Sequence, residues 1–229
     1  MLEVRNLDVA YGQSQVLHGL DFTVQPGEIV AVVGRNGMGK TTLMKSLIGI
    51  VPVRKGEIIV NGADVTALSS HGRVAKGMAY VPQGRQIFGA MTVEENIRTG
   101  LSATGRRDVP DEIYSIFPIL WEFNKRRAGN LSGGQQQQLA IARALASDPK
   151  VLLLDEPTEG IQPSIIKDLA KVLREIRDMR SLCIIVSEQV LSFVLSAADR
   201  ILVLENGRIV HSDVREGVDE AAIARFLAV

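Results

Sequence analysis

The 229 residues are 46% hydrophobic and 23% charged, enough apolar content for one sizeable core and too much for a disordered chain. Lys+Arg 26 against Asp+Glu 26 gives a formal charge of zero with no basic block, which argues against nucleic acid or an anionic membrane surface as a direct partner. The lone Cys183, in an apolar run, excludes an internal disulfide, and no apolar stretch approaches the ~20 residues needed to cross a bilayer.

Residues 1–7 lack the charged start and apolar centre of a signal peptide, so a cytosolic setting is expected, with any membrane attachment made through another chain. Residues 2–10 and 16–24 cluster apolar positions like strands, with Gly12 between them. Gln25-Pro26-Gly27 is a turn signal leading into Glu28-Ile29-Val30-Ala31-Val32-Val33, which reads as a buried strand. Thr42-Leu43-Met44-Lys45-Ser46-Leu47-Ile48 reads as a helix. Between them stands Gly34-Arg35-Asn36-Gly37-Met38-Gly39-Lys40-Thr41-Thr42, which satisfies the phosphate-binding pattern G-x-x-x-x-G-K-[ST] in its required strand–loop–helix setting. Glycines let the backbone curl so that successive N–H groups point at a polyphosphate, and the helix N-terminus adds its own. Lys40 is then expected to reach the β- and γ-phosphates, and the Thr41 hydroxyl to sit on Mg²⁺. Kinases, GTPases and ATPases all share this much.

Beyond the first helix, Gly56-Glu57-Ile58-Ile59-Val60-Asn61-Gly62 predicts a strand ending in an Asn-Gly turn. Residues 69–76 predict a short helix, and 77–81 a second buried strand that stops at Pro82-Gln83. From about 92 to 147 the pattern is helical and more polar, with a loose segment at 102–110; a helical subdomain inserted at about 84–147 is expected within a single domain spanning 1–229. Lys150-Val151-Leu152-Leu153-Leu154-Asp155-Glu156 is a near-continuous apolar strand, as expected when both faces of a parallel sheet are covered. Residues 163–178 carry Ile165, Ile166, Leu169, Val172, Leu173 and Ile176 at helical spacing. A strand at 182–186, a short helix, a hairpin at 201–210 and a closing helix near 219–227 complete the chain. Strands alternating with helices predict a parallel α/β core, to which the early strands add an antiparallel part. His18, His71 and His211 show no metal-ligand spacing.

Asp155 and Glu156 stand at the carboxyl end of a buried strand, where ligands bind in open α/β sheets. Leu131-Ser132-Gly133-Gly134-Gln135 opens a long helical run and offers a second set of free N–H groups at a helix start. One nucleotide does not need two such sites from one chain, so this one is expected to serve the nucleotide of another subunit. With the phosphate loop and Asp155-Glu156, this stretch resembles the ATP-binding subunits of ABC transporters, and the resemblance covers the whole chain. It implies a RecA-like P-loop NTPase fold, ATP and Mg²⁺ as cofactors, and ATP hydrolysis coupled to transport. It further implies a head-to-tail pair with an identical or paralogous subunit, transmembrane permease subunits and, indirectly, a solute-binding protein, without nucleic acid. The place implied is the cytoplasmic face of the membrane, peripheral, with a chain that is soluble when isolated. Tyr11 matches the family's aromatic that stacks on adenine, and Gln83 the glutamine that contacts Mg²⁺ and the attacking water and senses the membrane partner. The resemblance further implies that Asp155 joins the Mg²⁺ shell through a water and that Glu156 polarises the attacking water.

Two positions depart from that pattern. Ten residues before Asp199-Arg200 the family usually has a histidine on the γ-phosphate; here it is Gln189. The loop after the acidic strand usually ends in aspartate; here it reads Glu159-Gly160-Ile161-Gln162. The glutamine is similar to the smaller ATPase subunit of branched-chain amino-acid-type importers. Within that group, the run Ser132-Gly133-Gly134-Gln135-Gln136-Gln137-Gln138-Leu139-Ala140 and Pro157-Thr158-Glu159-Gly160-Ile161-Gln162-Pro163 resemble urea and short-chain amide importers more than amino-acid importers. The expectation is therefore an importer ATPase for urea or short-chain amides, with branched-chain amino acids as the alternative solute. A non-transport ATPase of similar fold is the other possibility; repair ATPases of that kind carry a long coiled coil between the two glycine motifs, and no heptads are present here.

Overall fold

The computed structural model describes residues 1–215 together with Ile223 and Phe226. Apart from those two residues, the closing helix expected near 219–227 lies outside the described residues.

Two sheets form the frame. The antiparallel one has the order β2-β1-β4-β5, from β1 (Leu2–Tyr11), β2 (Ser14–Val24), β4 (Val53–Val60) and β5 (Ala63–Asp64). The strand expected after the first helix thus begins earlier than its apolar run, at Val53, and joins this sheet by pairing with β1. Asn61 and Gly62, both at positive φ, make the tight turn to β5.

The second sheet runs β10-β9-β3-β8-β7-β6. Its strands are β3 (Glu28–Val33), β6 (Met78–Val81), β7 (Val151–Asp155), β8 (Cys183–Glu188), β9 (Arg200–Glu205) and β10 (Arg208–Val214). All neighbours are parallel except β10, which folds back on β9 through Asn206-Gly207. The continuous apolar runs follow from burial on both faces. Ile29, Ala31 and Val33 of β3 and Leu152 and Leu154 of β7 face one core, while Val30, Val32, Val151 and Leu153 face the other. The second core is closed by α1 (Lys40–Leu47) and the antiparallel sheet. Cys183 lies there, buried, and burial pushes its thiol pKa up.

The first core is closed by helices. The chain between β6 and β7 forms α3 (Val93–Gly100), α4 (Asp111–Ile116), α5 (Pro118–Glu122) and α6 (Gly133–Leu145), after α2 (Ser70–Ala75) earlier on. Ile97, Ile113, Phe117, Leu120 and Leu139 from this stretch share one core with the sheet. α7 (Pro163–Arg180) and α8 (Leu191–Ala197) cover the rest of that face. On α7 the buried stripe is Leu169, Ala170, Leu173 and Ile176, whereas Ile165, Ile166 and Val172 are only half-buried. At its end Arg180 forks onto Glu112 of α4 through two bonds of 2.8 and 2.9 Å. That fork holds the Glu112 carboxyl below its usual range and ties the inserted helices to the rest of the chain.

Four parallel strands, β3, β6, β7 and β8, therefore end at one edge of the sheet. Their carboxyl ends carry Gly34, Gln83, Asp155-Glu156 and Glu188-Gln189, residues far apart in sequence but neighbours in space.

Candidate functional site

The loop after β3 wraps the start of α1. Gly39 is the N-cap residue at φ 106°, and a Cβ there would lie 2.7 Å from Leu17 Cδ2 on β2. The backbone conformation strains any residue with a side chain here, and a Cβ would also have to push the Leu17 methyl aside. Lys40, only 4% exposed, points its Nζ back along the loop, donating to Gly34 O at 2.6 Å and Arg35 O at 3.2 Å. The expected helix begins earlier than its apolar run, so Lys40 and Thr41 both sit on its first turn. Met38 is held from the far side by the β9–β10 turn, whose Gly207 N–H donates to Met38 O.

The two carboxylates behave differently. Asp155 accepts from Thr41 Oγ1 at 3.2 Å, Ser187 Oγ at 2.6 Å and Tyr80 OH at 3.1 Å. Burial and the adjacent carboxylate push the Tyr80 phenol well above its ordinary pKa, so it stays protonated and donating. Thr41 and Asp155 together offer two hard oxygen ligands, a fit for Mg²⁺ completed by phosphate and water. Among the described residues no cluster of three or more His, Cys, Asp or Glu side chains could cage a metal without such help.

Glu156 stands just past β7 with φ 46°, a left-handed conformation rare for a side-chain-bearing residue. Its N–H is satisfied by Ser187 O and Oγ. The turn aims the carboxylate into a cleft of about 280 Å³ between the phosphate loop and Gln83. Lys40 Nζ is 3.4 Å from Oε1, Gln83 Nε2 donates to Oε2 at 3.3 Å, and Gln189 Nε2 donates to Oε1 at 3.0 Å. Gln189 Nε2 also donates to Asn36 Oδ1 at 2.8 Å. Gln189 thus spans the phosphate loop and Glu156.

Leu131, Ser132, Gly133, Gly134 and Gln135 do not line that cleft. Ser132 caps α6 in a capping box: its N–H donates to Gln135 Oε1, and its hydroxyl accepts from Gln135 N–H. Gly134 packs against α7 so tightly that a Cβ would fall 2.8 Å from Ile165 Cγ2. Tyr11 is half exposed at the end of β1, beside the β1–β2 turn; from that hairpin, Val16 lines the cleft.

Four contributors escaped the sequence reading: Tyr80 and Ser187 on Asp155, Glu188 beneath Gln189, and Arg85, which donates to Glu159 O at 2.6 Å. A period of two along β6 does put Tyr80 on the α1 face with Met78, so that signal was available.

Comparison with known proteins agrees with this geometry. A family profile described as ABC transporter matches residues 17–159, more than half of the chain. The chain is 41% identical over 216 residues to a high-affinity branched-chain amino acid transport ATP-binding protein of Pseudomonas aeruginosa, covering 93% of this chain and 92% of that one. It is 37% identical to a probable branched-chain amino acid transport ATP-binding protein of Archaeoglobus fulgidus (91% and 90% covered). It is 34% identical to a lipopolysaccharide export system ATP-binding protein of Haemophilus influenzae (95% and 92%). Among solved structures, a nucleotide-free ATP-binding cassette from an ABC transporter superposes with a TM-score of 0.83 at 27% identity, covering 99% of this chain and 94% of the other. A family model that matches more than half of the chain, and relatives 34–41% identical over at least nine-tenths of both chains, show that this chain belongs to the ABC transporter family, as an ABC-type ATPase.

Proposed function

We propose that this chain is the ATP-hydrolysing motor subunit of an importer for branched-chain amino acids or closely similar small solutes. The observation that carries the solute class is the 41% and 37% identity, each over at least 90% of both chains, to proteins named for branched-chain amino acid transport. The glutamine run and the 157–163 segment, which resemble urea and short-chain amide importers, are a narrower basis, because neither touches the solute. Uptake by the chain assembled with its permease and solute-binding partners tests this, with leucine, urea and acetamide supplied in turn. ATP-dependent leucine uptake supports the reading. Urea uptake without leucine uptake replaces it.

In this reading Tyr11 stacks on adenine, and Gly34 to Thr42 with Lys40 hold the phosphates. Thr41, Gln83 and, through water, Asp155 hold Mg²⁺, whose charge offsets that developing on the phosphoryl oxygens. Glu156 polarises the attacking water and Gln189 steadies both Glu156 and the loop beside the γ-phosphate. Ser132, Gly133, Gly134 and Gln135 face the nucleotide of a second ATP-binding subunit in a head-to-tail pair. That none of them lines this chain's own cleft supports that arrangement. A groove of about 670 Å³ begins at Pro82, next to Gln83, and is lined by the exposed Ile50 and Phe88; it suits a segment of the membrane-spanning permease.

Two substitutions separate these roles. Ser132→Arg is expected to abolish hydrolysis by the pair while the isolated chain binds ATP normally, because the cation would fill the anion site offered to the other subunit. Loss of ATP affinity in the monomer would mean that the turn acts on its own chain's nucleotide. Gln189→His is expected to speed hydrolysis at this chain's site, since a histidine can carry charge near neutral pH and an amide cannot. A tuned donor at such a centre is worth about 10²–10³-fold in rate, and replacing an amide regains only part of that. Site-resolved single-turnover hydrolysis in the assembled transporter reads the change; an unaltered rate would show the glutamine fully competent.

A further inference from the structure

Glu188 ends β8 with 2% of its surface exposed, and its carboxylate is held by hydrogen bonds alone. Buried charge survives only when its lone pairs are satisfied, and here both oxygens are. Oε1 accepts from the Thr158 N–H at 3.0 Å and from the Thr158 hydroxyl. Oε2 accepts from the Gln189 N–H at 2.8 Å and the Val190 N–H at 3.0 Å. One rigid, planar group thus grips two segments at once.

The two segments lead to different places. Gln189 reaches into the cleft, onto Glu156 and Asn36. Thr158 leads into Glu159 and Gly160, whose carbonyls accept from Arg85 Nη2 at 2.6 and 3.4 Å. Gly160 O lies 3.1 Å from where a Cβ on Gly133 would stand, so this turn abuts the capped glycine turn. We infer that Glu188 is a positioning residue that couples Gln189 in the cleft to the 158–160 turn beside Gly133, so that each ATP site of the working pair senses the other through this carboxylate. The inference rests on the reading above, in which Gln189 attends this chain's nucleotide and Gly133 the partner's.

The test is a double-mutant cycle on steady-state ATP hydrolysis by the assembled transporter. Thr158→Val, Gln189→Ala and the double variant are measured first with Glu188 present and then with Glu188→Gln. An amide keeps one acceptor but turns an NH₂ toward donors on the other side, so it releases one grip and keeps the other. With Glu188, the double variant is expected to lose less than the product of the single losses, by about threefold or more. With Glu188→Gln the losses are expected to multiply. Glu188→Gln alone is expected to lower kcat about tenfold while KM for ATP stays within about twofold, since Glu188 does not line the cleft. Losses that multiply already with Glu188 present overturn the inference, as does a Glu188→Gln protein altered only in melting temperature. If Glu188→Gln does not fold, the cycle with Glu188 present decides alone. If Gln189→Ala and Glu156→Gln both leave turnover untouched, the reading of the cleft fails and this inference with it. A turnover that responds to Gln189 but shows no coupling to Thr158 overturns Glu188's role only.

Discussion

Glu156→Gln is expected to leave ATP binding intact, to slow hydrolysis by about 10²–10⁴-fold, and to trap a closed pair in Mg-ATP. The amide oxygen can still accept from Gln189 and face Lys40, which lie on the Oε1 side. On the other side the new NH₂ would meet Gln83 Nε2, and the Gln83 amide can turn over to present its oxygen. Geometry therefore survives while the negative charge that polarises the water is lost. Size-exclusion chromatography with Mg-ATP, alongside a turnover assay, reads both effects. Undiminished turnover together with no pair would remove Glu156 from the reaction.

Lys40→Ala acts a step earlier. The ammonium is nearly inaccessible and is aimed along the loop by Gly34 O and Arg35 O. A charged hydrogen bond to phosphate is worth about 1.5–3 kcal/mol, so ATP affinity is expected to fall by about 10–150-fold. Removal also leaves Glu156 without its cation at 3.4 Å, held only by the two glutamine amides. Titration with a fluorescent ATP analogue measures the loss. Affinity within about twofold of the unaltered protein, a change of under 0.5 kcal/mol, would count against the phosphate-loop assignment. Because Ser132→Arg is expected to spare the monomer's affinity, the two variants together distinguish a chain that holds its own nucleotide from one that borrows a site.

Local chemistry wrote much of this into the sequence. Glycines at fixed spacing between an apolar strand and a helix define the phosphate loop, because only that backbone can turn its N–H groups onto a polyphosphate. The unbroken apolar runs of β3 and β7 announce a sheet covered on both faces. Asn61-Gly62 and Asn206-Gly207 mark their turns, and Ser132 with Gln135 marks the start of α6. What the sequence left open is partnership. Periodicity says which face of a strand is buried but not what buries it, so the pairing of β4 with β1, and the placing of β3 between β8 and β9, come only from the folded chain. The same holds in the cleft. Gln189 meets Asn36 across 153 positions of sequence, and Tyr80 meets Asp155 across 75. Those contacts exist because parallel strands bring their carboxyl ends to one edge of the sheet. The left-handed turn at Glu156 and the grip on Glu188 belong to that edge as well: Ser187 holds the Glu156 N–H and Thr158 reaches Glu188 from about thirty positions away, and only the Gln189 and Val190 N–H bonds to Glu188 are local.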